Sequence, residues 1–479
     1  MSITKQQAFS SISRNACTIA TIGDTIFAFA EVAMQEYETC NFVSGILKDI
    51  GFKVETGISD FPTAILATYG SGKPVIAVHT EYDALPGVSQ EAGVTDRKPV
   101  VPGAPGHAEG HNCGSALALG ALFAVKQAMD ENKLPGTIRF FGVPAEELVL
   151  ARPFFVRDGY FDNVDAAIWC HLGSDFDNSY GVRNYGNMSV EFEFFGKTAH
   201  ASTNPWSGIS AVDAVKLMDV GWDVLREHLP VTQRSHSVIL NGGTQPNVVP
   251  DYARIWYMLR EADGKGVKSL FEKAKNVAAG AALMTGCTWK AKVNAAVWPG
   301  RDSKVLSEVV QSNIDIVGMP KWTEEEVDLA KAIQKATGVP EVGLSTKIPG
   351  LAPAVQGTHS NDNGDITWIV PHAHIHFPSN VPGVPFHHWC AAIAPATSIG
   401  HKGEVAGAKV LAGTLLDLLS SPDLVAQVKE CFAKESVGVK YEPLLPPDTH
   451  PSAELNKQMM DGYRAEMRKH YLNKEAKFE

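Results

Sequence analysis

Short apolar runs that stop abruptly at histidines or carboxylates recur along the chain. PVIAVH (74–79) is apolar on both faces, the pattern of a strand buried in an α/β sheet. It opens into HTEYDALPG (79–87), where His79, Glu81 and Asp83 crowd together. TIRFFGV (137–143) runs into PAEE, with Glu146 and Glu147, and DAAIWCH (165–171) ends on His171. In open α/β sheets, ligands bind beyond the carboxyl ends of the strands. Three strand ends with the same chemistry therefore predict one polar site at that edge. Between the first two strands lies PGAPGHAEGHNCGS (102–115), whose glycines let His107, Glu109 and His111 converge. An apolar helical run over 115–131 follows, with Asn112 or Ser115 as candidate caps.

The flanking pattern completes an α/β layer. Residues 24–50 read as helix, with Phe42, Val43, Ile46, Leu47 and Ile50 on one face and Gly51 as the stop. TAILATYG (63–70) reads as a strand. The pattern then changes. SVEFEFFG (189–196) alternates, a helix spans about 208–228, and SVILNGG (237–243) and ARIWYMLRE (253–261) read as strands. A helix near 265–284 and TWKAKVNAAV (288–297) follow, which gives the split βαβ, ferredoxin-like order. The expected architecture is an α/β catalytic domain, 1–187 and 299–479, interrupted by an α+β domain at 188–298. One face of that inserted sheet is left for solvent or for another subunit. Beyond it, TEEEVDLAKAIQKA (323–336) opens with a Thr323/Glu326 capping box. The stretch 358–389 carries six histidines; His372, His374 and His376 alternate as one face of a strand, and His387 and His388 precede a helix entry. A final helix over 402–419 and an exposed, charged tail close the chain.

Composition narrows the class. A chain of 479 residues calls for more than one core. A net charge of −11 argues against nucleic acid, and no apolar run reaches the ~18 residues of a membrane span. Seven scattered cysteines without a CxxC pair suit reduced thiols in the cytoplasm, and the N-terminus lacks a signal-peptide pattern.

EYDALPG, PGHAEGHN, VPAEE, GKTAHAS, REH, PNVVPD, GDITW and GVPFHHW, in that order, resemble the M20 metallopeptidase family, in particular the amidohydrolase branch that includes p-aminobenzoyl-glutamate hydrolases. The resemblance implies a zinc-peptidase fold with an inserted lid and dimerisation domain. It implies two divalent metal ions, zinc or manganese with cobalt also open, held by Glu109, His111, Glu147, His171 and His387. His388 competes with His387 one place away. It makes Glu146 the general base and counts Asp83 with the catalytic residues. His200 would enter a neighbouring subunit's site to hold the oxyanion; Asn247 and Arg260 would bind substrate, Arg260 through a carboxylate.

At one position the chain departs from the family. The amidohydrolase branch has Cys, and the peptidase branch Asp, where this chain has Glu109. It also keeps both His79 and His111, with Glu81 where Asp is expected, so His79 and Glu81 stand as metal ligands or as supports behind them, with a substrate contact also open for His79. The implied activity is hydrolysis of an N-acyl or N-aroyl amino acid, or a dipeptide-like amide, by a homodimer. Deamination or carbamate cleavage in the same site, and a non-catalytic binding protein, are the alternatives.

Overall fold

The computed structural model describes residues 1–472 and 474–479. Its strands are β1 (Lys53–Thr56), β2 (Ile65–Ser71), β3 (Val75–Glu81), β4 (Gly136–Val143), β5 (Ala166–Gly173), β6 (Ser179–Val182), β7 (Gly186–Phe195), β8 (Arg234–Asn241), β9 (Tyr252–Glu261), β10 (Thr288–Val297), β11 (Arg301–Asp302), β12 (Ala352–Pro353) and β13 (His372–Pro378). The main sheet has the order β1-β2-β4-β3-β5-β13. Its centre, β4-β3-β5-β13, is parallel, and β1 and β2 run antiparallel at the edge.

Both faces of this sheet are covered, which is why its central strands β3 and β5 are apolar up to their carboxyl ends. Ile76, Val78, Ile138 and Phe140 point into one core, shared with the helices Ala16–Phe29, His111–Asn132 and Ser398–Ser420. Val75, Ala77, Phe141 and Val143 point into the other, against Phe61, Phe154, Phe155 and Phe161. Period-two alternation between two buried layers confines the polar positions of β3 and β5 to the strand ends. The parallel strands β3, β4 and β5 therefore deliver His79–Glu81, Glu146–Glu147 and His171 to one edge.

A second sheet, β10-β7-β9-β8, is antiparallel throughout, and the helices Ala211–Arg226 and Gly264–Thr285 cross it. The strand order 4-1-3-2 is the ferredoxin-like arrangement that the alternation predicted. Burial alternates along β9, and β8 forms an edge on which Val238, Ile239 and Leu240 are exposed. The strands β11, β6 and β12 form a small third sheet.

Several elements differ from expectation. The stretch 24–50 is not one helix but parts of two, Ala16–Phe29 and Tyr37–Asp49, broken at Ala30 with φ 41°. Buried carboxylates make the break. Glu31 accepts from the N–H groups of Glu38 and Thr39 and so satisfies the first turn of the second helix. A further helix, Ile3–Arg14, precedes them. The helix over 115–131 begins earlier, at His111, after Gly110 in the left-handed region, and neither candidate cap caps it. Asn112 donates to Gly23 O and Ser115 to Glu81 O instead. The tail is not an exposed extension: the helix Lys457–Met467 buries Met460 and Met467, and Phe478 stacks on Phe123. The Thr323/Glu326 capping box is present.

Candidate metal centre

Five segments meet beyond the carboxyl ends of β3, β4 and β5. His111, the first residue of its helix, points Nδ1 at Asp83, 2.9 Å from the carbonyl oxygen and 3.3 Å from Oδ1. That contact fixes the Nδ1–H tautomer and leaves Nε2 as the free donor, as in a carboxylate–histidine–metal arrangement. Nε2 is buried and has no hydrogen-bond partner. It lies 3.9 Å from both Glu81 Oε1 and Glu146 Oε2.

At the end of β5, His171 donates Nδ1–H to Leu172 O and turns Nε2 inward, 3.7 Å from Glu109 Oε1 and 3.8 Å from Glu81 Oε1. His387 Nε2 lies 2.7 Å from Glu109 Oε2 and 3.3 Å from Glu147 Oε2. Two overlapping triads share His111: Glu81, His111 and His171, and Glu109, His111 and Glu147. In each, one donor atom per residue lies within 4.8 Å of the others.

The backbone is strained where it presents these groups. Glu146–Leu148 is a single 3-10 turn between Ala145 and Val149, both with positive φ (58° and 59°), and His387 has φ 62°. For a β-branched residue such as Val149 that conformation is an outlier, of the kind held in place by surrounding structure at functional sites. Glu36 supplies part of that hold by accepting from Ala145 N–H at 2.9 Å, and Asp83 Oδ2 accepts from Glu147 N–H at 3.1 Å. Gly110 is required outright, since its φ is +71° and a Cβ there would sit 2.1 Å from Leu172 Cδ1.

The electrostatics suit a cation. Burial, with Asp362 and Glu81 nearby, pushes Glu146 well above the usual carboxylate range, and burial beside Glu109 takes Glu147 to about 11. Burial opposes the charge on Glu109 too, but the His387 hydrogen bond and the charges of His171, His111 and His387 together outweigh it and bring the group to about 2. Burial lowers His171 to about 4, so its Nε2 lone pair is free. Carboxylates crowded until some favour the neutral form regain their charge when a divalent ion joins them. The orphaned Nε2 of His111, the oriented His171 and the three converging glutamates fit such an ion.

Behind the pocket, Arg152 is fully buried and paired with Glu81 and Asp362. Its Nε donates to His79 Nδ1 at 3.1 Å, and His79 Nε2 is 3.2 Å from His372 Nε2. His79 is thus turned away from the cluster and supports it. Glu81 faces both ways: Oε1 borders the pocket while Arg152 and Trp169 Nε1 hold the carboxylate. Asp83 touches His111 and the Glu147 backbone, which makes it a positioning group. Arg152, Asp362 and Trp169 were not among the residues expected from the sequence. Only the isolated charge of Arg152 within LVLARPFFV hinted at a buried ion pair.

His387 joins the cluster, whereas His388 accepts from Cys390 N–H at the start of a 3-10 turn. His200, Asn247 and Arg260 lie elsewhere. His200 is exposed and accepts from Thr203 N–H, and its neighbour Ala201 donates to Asn247 O. Arg260 sits on β9 opposite Asn187 and Arg234. Among the described residues none of the three is hydrogen-bonded or ion-paired to the cluster.

A family profile described as a peptidase dimerisation domain matches residues 182–283. The chain is 33% identical over 458 residues to one of the subunits of p-aminobenzoyl-glutamate hydrolase from Escherichia coli (strain K12), covering 90% of this chain and 95% of the relative. It is 26% identical to the Xaa-Arg dipeptidase of Mus musculus, covering 74% and 73%. A crystal structure from Bacillus subtilis, described as a dinuclear metal-binding peptidase from the M20 family, shares the fold with a TM-score of 0.56 and 17% identity, covering 85% of this chain and 99% of that one.

Proposed function

The chain belongs to the M20 metallopeptidase family, and from that premise we propose that it is a metal-dependent amidohydrolase cleaving the amide bond of an N-acyl or N-aroyl amino acid, in the manner of p-aminobenzoyl-glutamate. The observation that carries this reading is the place of Glu146, whose carboxylate borders the cluster 3.9 Å from His111 Nε2 while its neighbour Glu147 faces Glu109 and His387. Glu109, His111, Glu147, His171 and His387 would hold two divalent ions, zinc or manganese, which when bound would supply Lewis acidity and activate water there. Glu146 takes the proton of the attacking water and returns it to the leaving amine nitrogen. Asp83 and Leu172 O hold the two buried imidazoles in the tautomer that leaves Nε2 free. Glu109 would hold metal from a loop that Gly110, with φ +71°, lets turn sharply.

Substrate binding falls to Asn247 and Arg260. Arg260 is half-buried, its Nε has no partner, and no carboxylate pairs with it among the described residues. Burial lowers its pKa, a cost that a substrate carboxylate offsets. Residues 1–187 and 299–479 form the catalytic domain and 188–298 the lid. The seven free thiols suit work in the cytoplasm. The test is a hydrolysis screen of p-aminobenzoyl-glutamate, acyl-glutamates and acyl-arginines, with and without chelator. We expect chelator-sensitive release of the free amino acid. Ammonia or carbon dioxide as the only product would reject amide hydrolysis.

The lid also accounts for assembly. Ile239 on edge strand β8 and Val220 and Val224 on the helix Ala211–Arg226 are exposed apolar residues, and Val238 and Leu240 are exposed along the same edge strand. An uncovered apolar edge strand invites pairing with another chain. We infer a homodimer joined there, in which His200 reaches the neighbouring site. Ile239→Glu with Val224→Glu is expected to halve the mass measured by sedimentation and to abolish most turnover. A variant that sediments with the unaltered protein would reject this interface.

A further inference from the structure

A second group of ligand-type side chains lies on the far side of His171. His376 pairs in register with His171 across β13 and β5, and its ring is 5.7 Å from the rings of both His171 and Trp169. His374, two residues earlier, shares its face of the strand. Asp177 comes from the loop between β5 and β6, and its Oδ2 is 3.4 Å from His376 Nδ1. One donor atom from each of Asp177, His374 and His376 lies within 4.8 Å of the other two.

His374 is the informative member. It is fully buried, and its Nδ1–H donates to Asp302 Oδ2 at 2.8 Å. Its other nitrogen, Nε2, has no hydrogen-bond partner. A buried polar atom without a partner has given up its bond to water and gained nothing in return. The same arrangement, with a carboxylate fixing one ring nitrogen and freeing the other, is how metal-binding histidines are held. Asp302 also holds His372 Nδ1 at 2.6 Å, so the carboxylate is itself anchored.

We propose that Asp177, His374 and His376 form an additional divalent-cation site, separate from the catalytic pair. It takes zinc or a similar borderline ion through two imidazoles and one carboxylate, with a fourth position open to solvent. The ligand types suit such an ion better than calcium or magnesium, which prefer oxygen. Protonation states agree: burial keeps His374 below its usual value and His376 at about 4, while the His376 hydrogen bond holds Asp177 below the usual carboxylate range. Imidazoles that are neutral and a carboxylate that is ionised need release no proton before binding. Arg183, whose Nη1 is 3.4 Å from Asp302 Oδ2, opposes a cation, but Asp177 and Asp302 together outnumber it. Tetrahedral bonds of about 2.0–2.1 Å put donors roughly 3.3 Å apart, so the set must contract. Asp177 is exposed on a loop and is the member free to move.

Access is provided by a cavity of about 250 Å³ lined by Asp175, Asp177, His376, Asn380 and Phe386. An ion there ties the Asp177 loop to β13, beside the strand that carries His171. The test is crystallographic, with zinc as the probe. Crystals grown with micromolar zinc should give an anomalous peak within about 2.1 Å of His374 Nε2, apart from the peaks among Glu109, His111, Glu147, His171 and His387. Asp177→Ala, at an exposed position, and His374→Gln should each lose that peak and one equivalent by elemental analysis. Glu147→Ala should lose only catalytic peaks, which keeps the two assignments distinguishable. No density beside His374 in the unaltered protein, a peak only at millimolar zinc, or a full equivalent retained by Asp177→Ala would each overturn the site.

Discussion

Glu146→Gln is expected to fold, keep its metal content and lose about 10³-fold in turnover, roughly 4 kcal/mol of barrier. The substitution preserves shape and removes only the ability to accept and return a proton. Glu146 is suited to that task because burial, with Asp362 and Glu81 in range, opposes its ionisation and makes the carboxylate basic. Cations held by Glu147 and Glu109 would counter this and bring the group toward the working pH. Its oxygen stands beside His111 Nε2 without being one of the atoms that close either triad. The amide that replaces it should therefore leave the ligand set whole. Two readouts separate base from ligand: the rate of amino-acid release, and metal per chain after gel filtration. Turnover within threefold of the unaltered protein rejects the base. Loss of one metal equivalent moves Glu146 into the ligand set.

The parts of the site legible in the sequence were those tied to strand ends. A parallel strand buried on both faces can change character only where it leaves the sheet, so His171 and the Glu146–Glu147 pair announced themselves. The alternation of β7 marked a half-exposed strand, and the strand–helix–strand–strand–helix–strand succession after it pointed to the ferredoxin-like second sheet. The illegible parts depend on contacts remote in sequence. Nothing local marks Arg152 as the partner of Glu81, seventy-one residues away, or of Asp362. The helix break at Ala30 follows from buried Glu31 accepting N–H groups ahead, which apolar periodicity does not register. His79 looked like a ligand because it heads the same polar run as Glu81 and Asp83. Arg152 and His372, which meet its two nitrogens, decided otherwise. The tail was hidden by its charge, since a few anchors such as Met460 and Met467 suffice to dock it. His374 and His376 illustrate the converse: strand alternation described their placement correctly but could not show that one imidazole is left with an unused nitrogen.

Arg152→Met is expected to cost about 3–5 kcal/mol of stability, read as a large fall in the urea midpoint at pH 7. The methionine fills much of the space, so the loss is electrostatic rather than a cavity. Arg152 is fully buried, and its guanidinium is divided among Glu81, Asp362 and His79 Nδ1. Without it, two buried carboxylates lose the guanidinium that pairs with both. Burial already raises Asp362 to about 6 despite Arg152, and removal of the cation raises it further. A carboxyl whose folded pKa lies above its unfolded value, about 4, favours folding below that value and loses the benefit as pH rises through the folded pKa. The deficit of the variant should accordingly be greatest at neutral pH and narrow toward pH 5. Adding Asp362→Asn to Arg152→Met should recover part of the loss at pH 7 and flatten this dependence, because the two positions form one network and their effects do not add. A single variant within 1 kcal/mol of the unaltered protein, or a deficit that widens on acidification, would mean that Glu81 is held in place by something other than this cation. The wall between the metal pocket and the histidines of β13 would then need a different support.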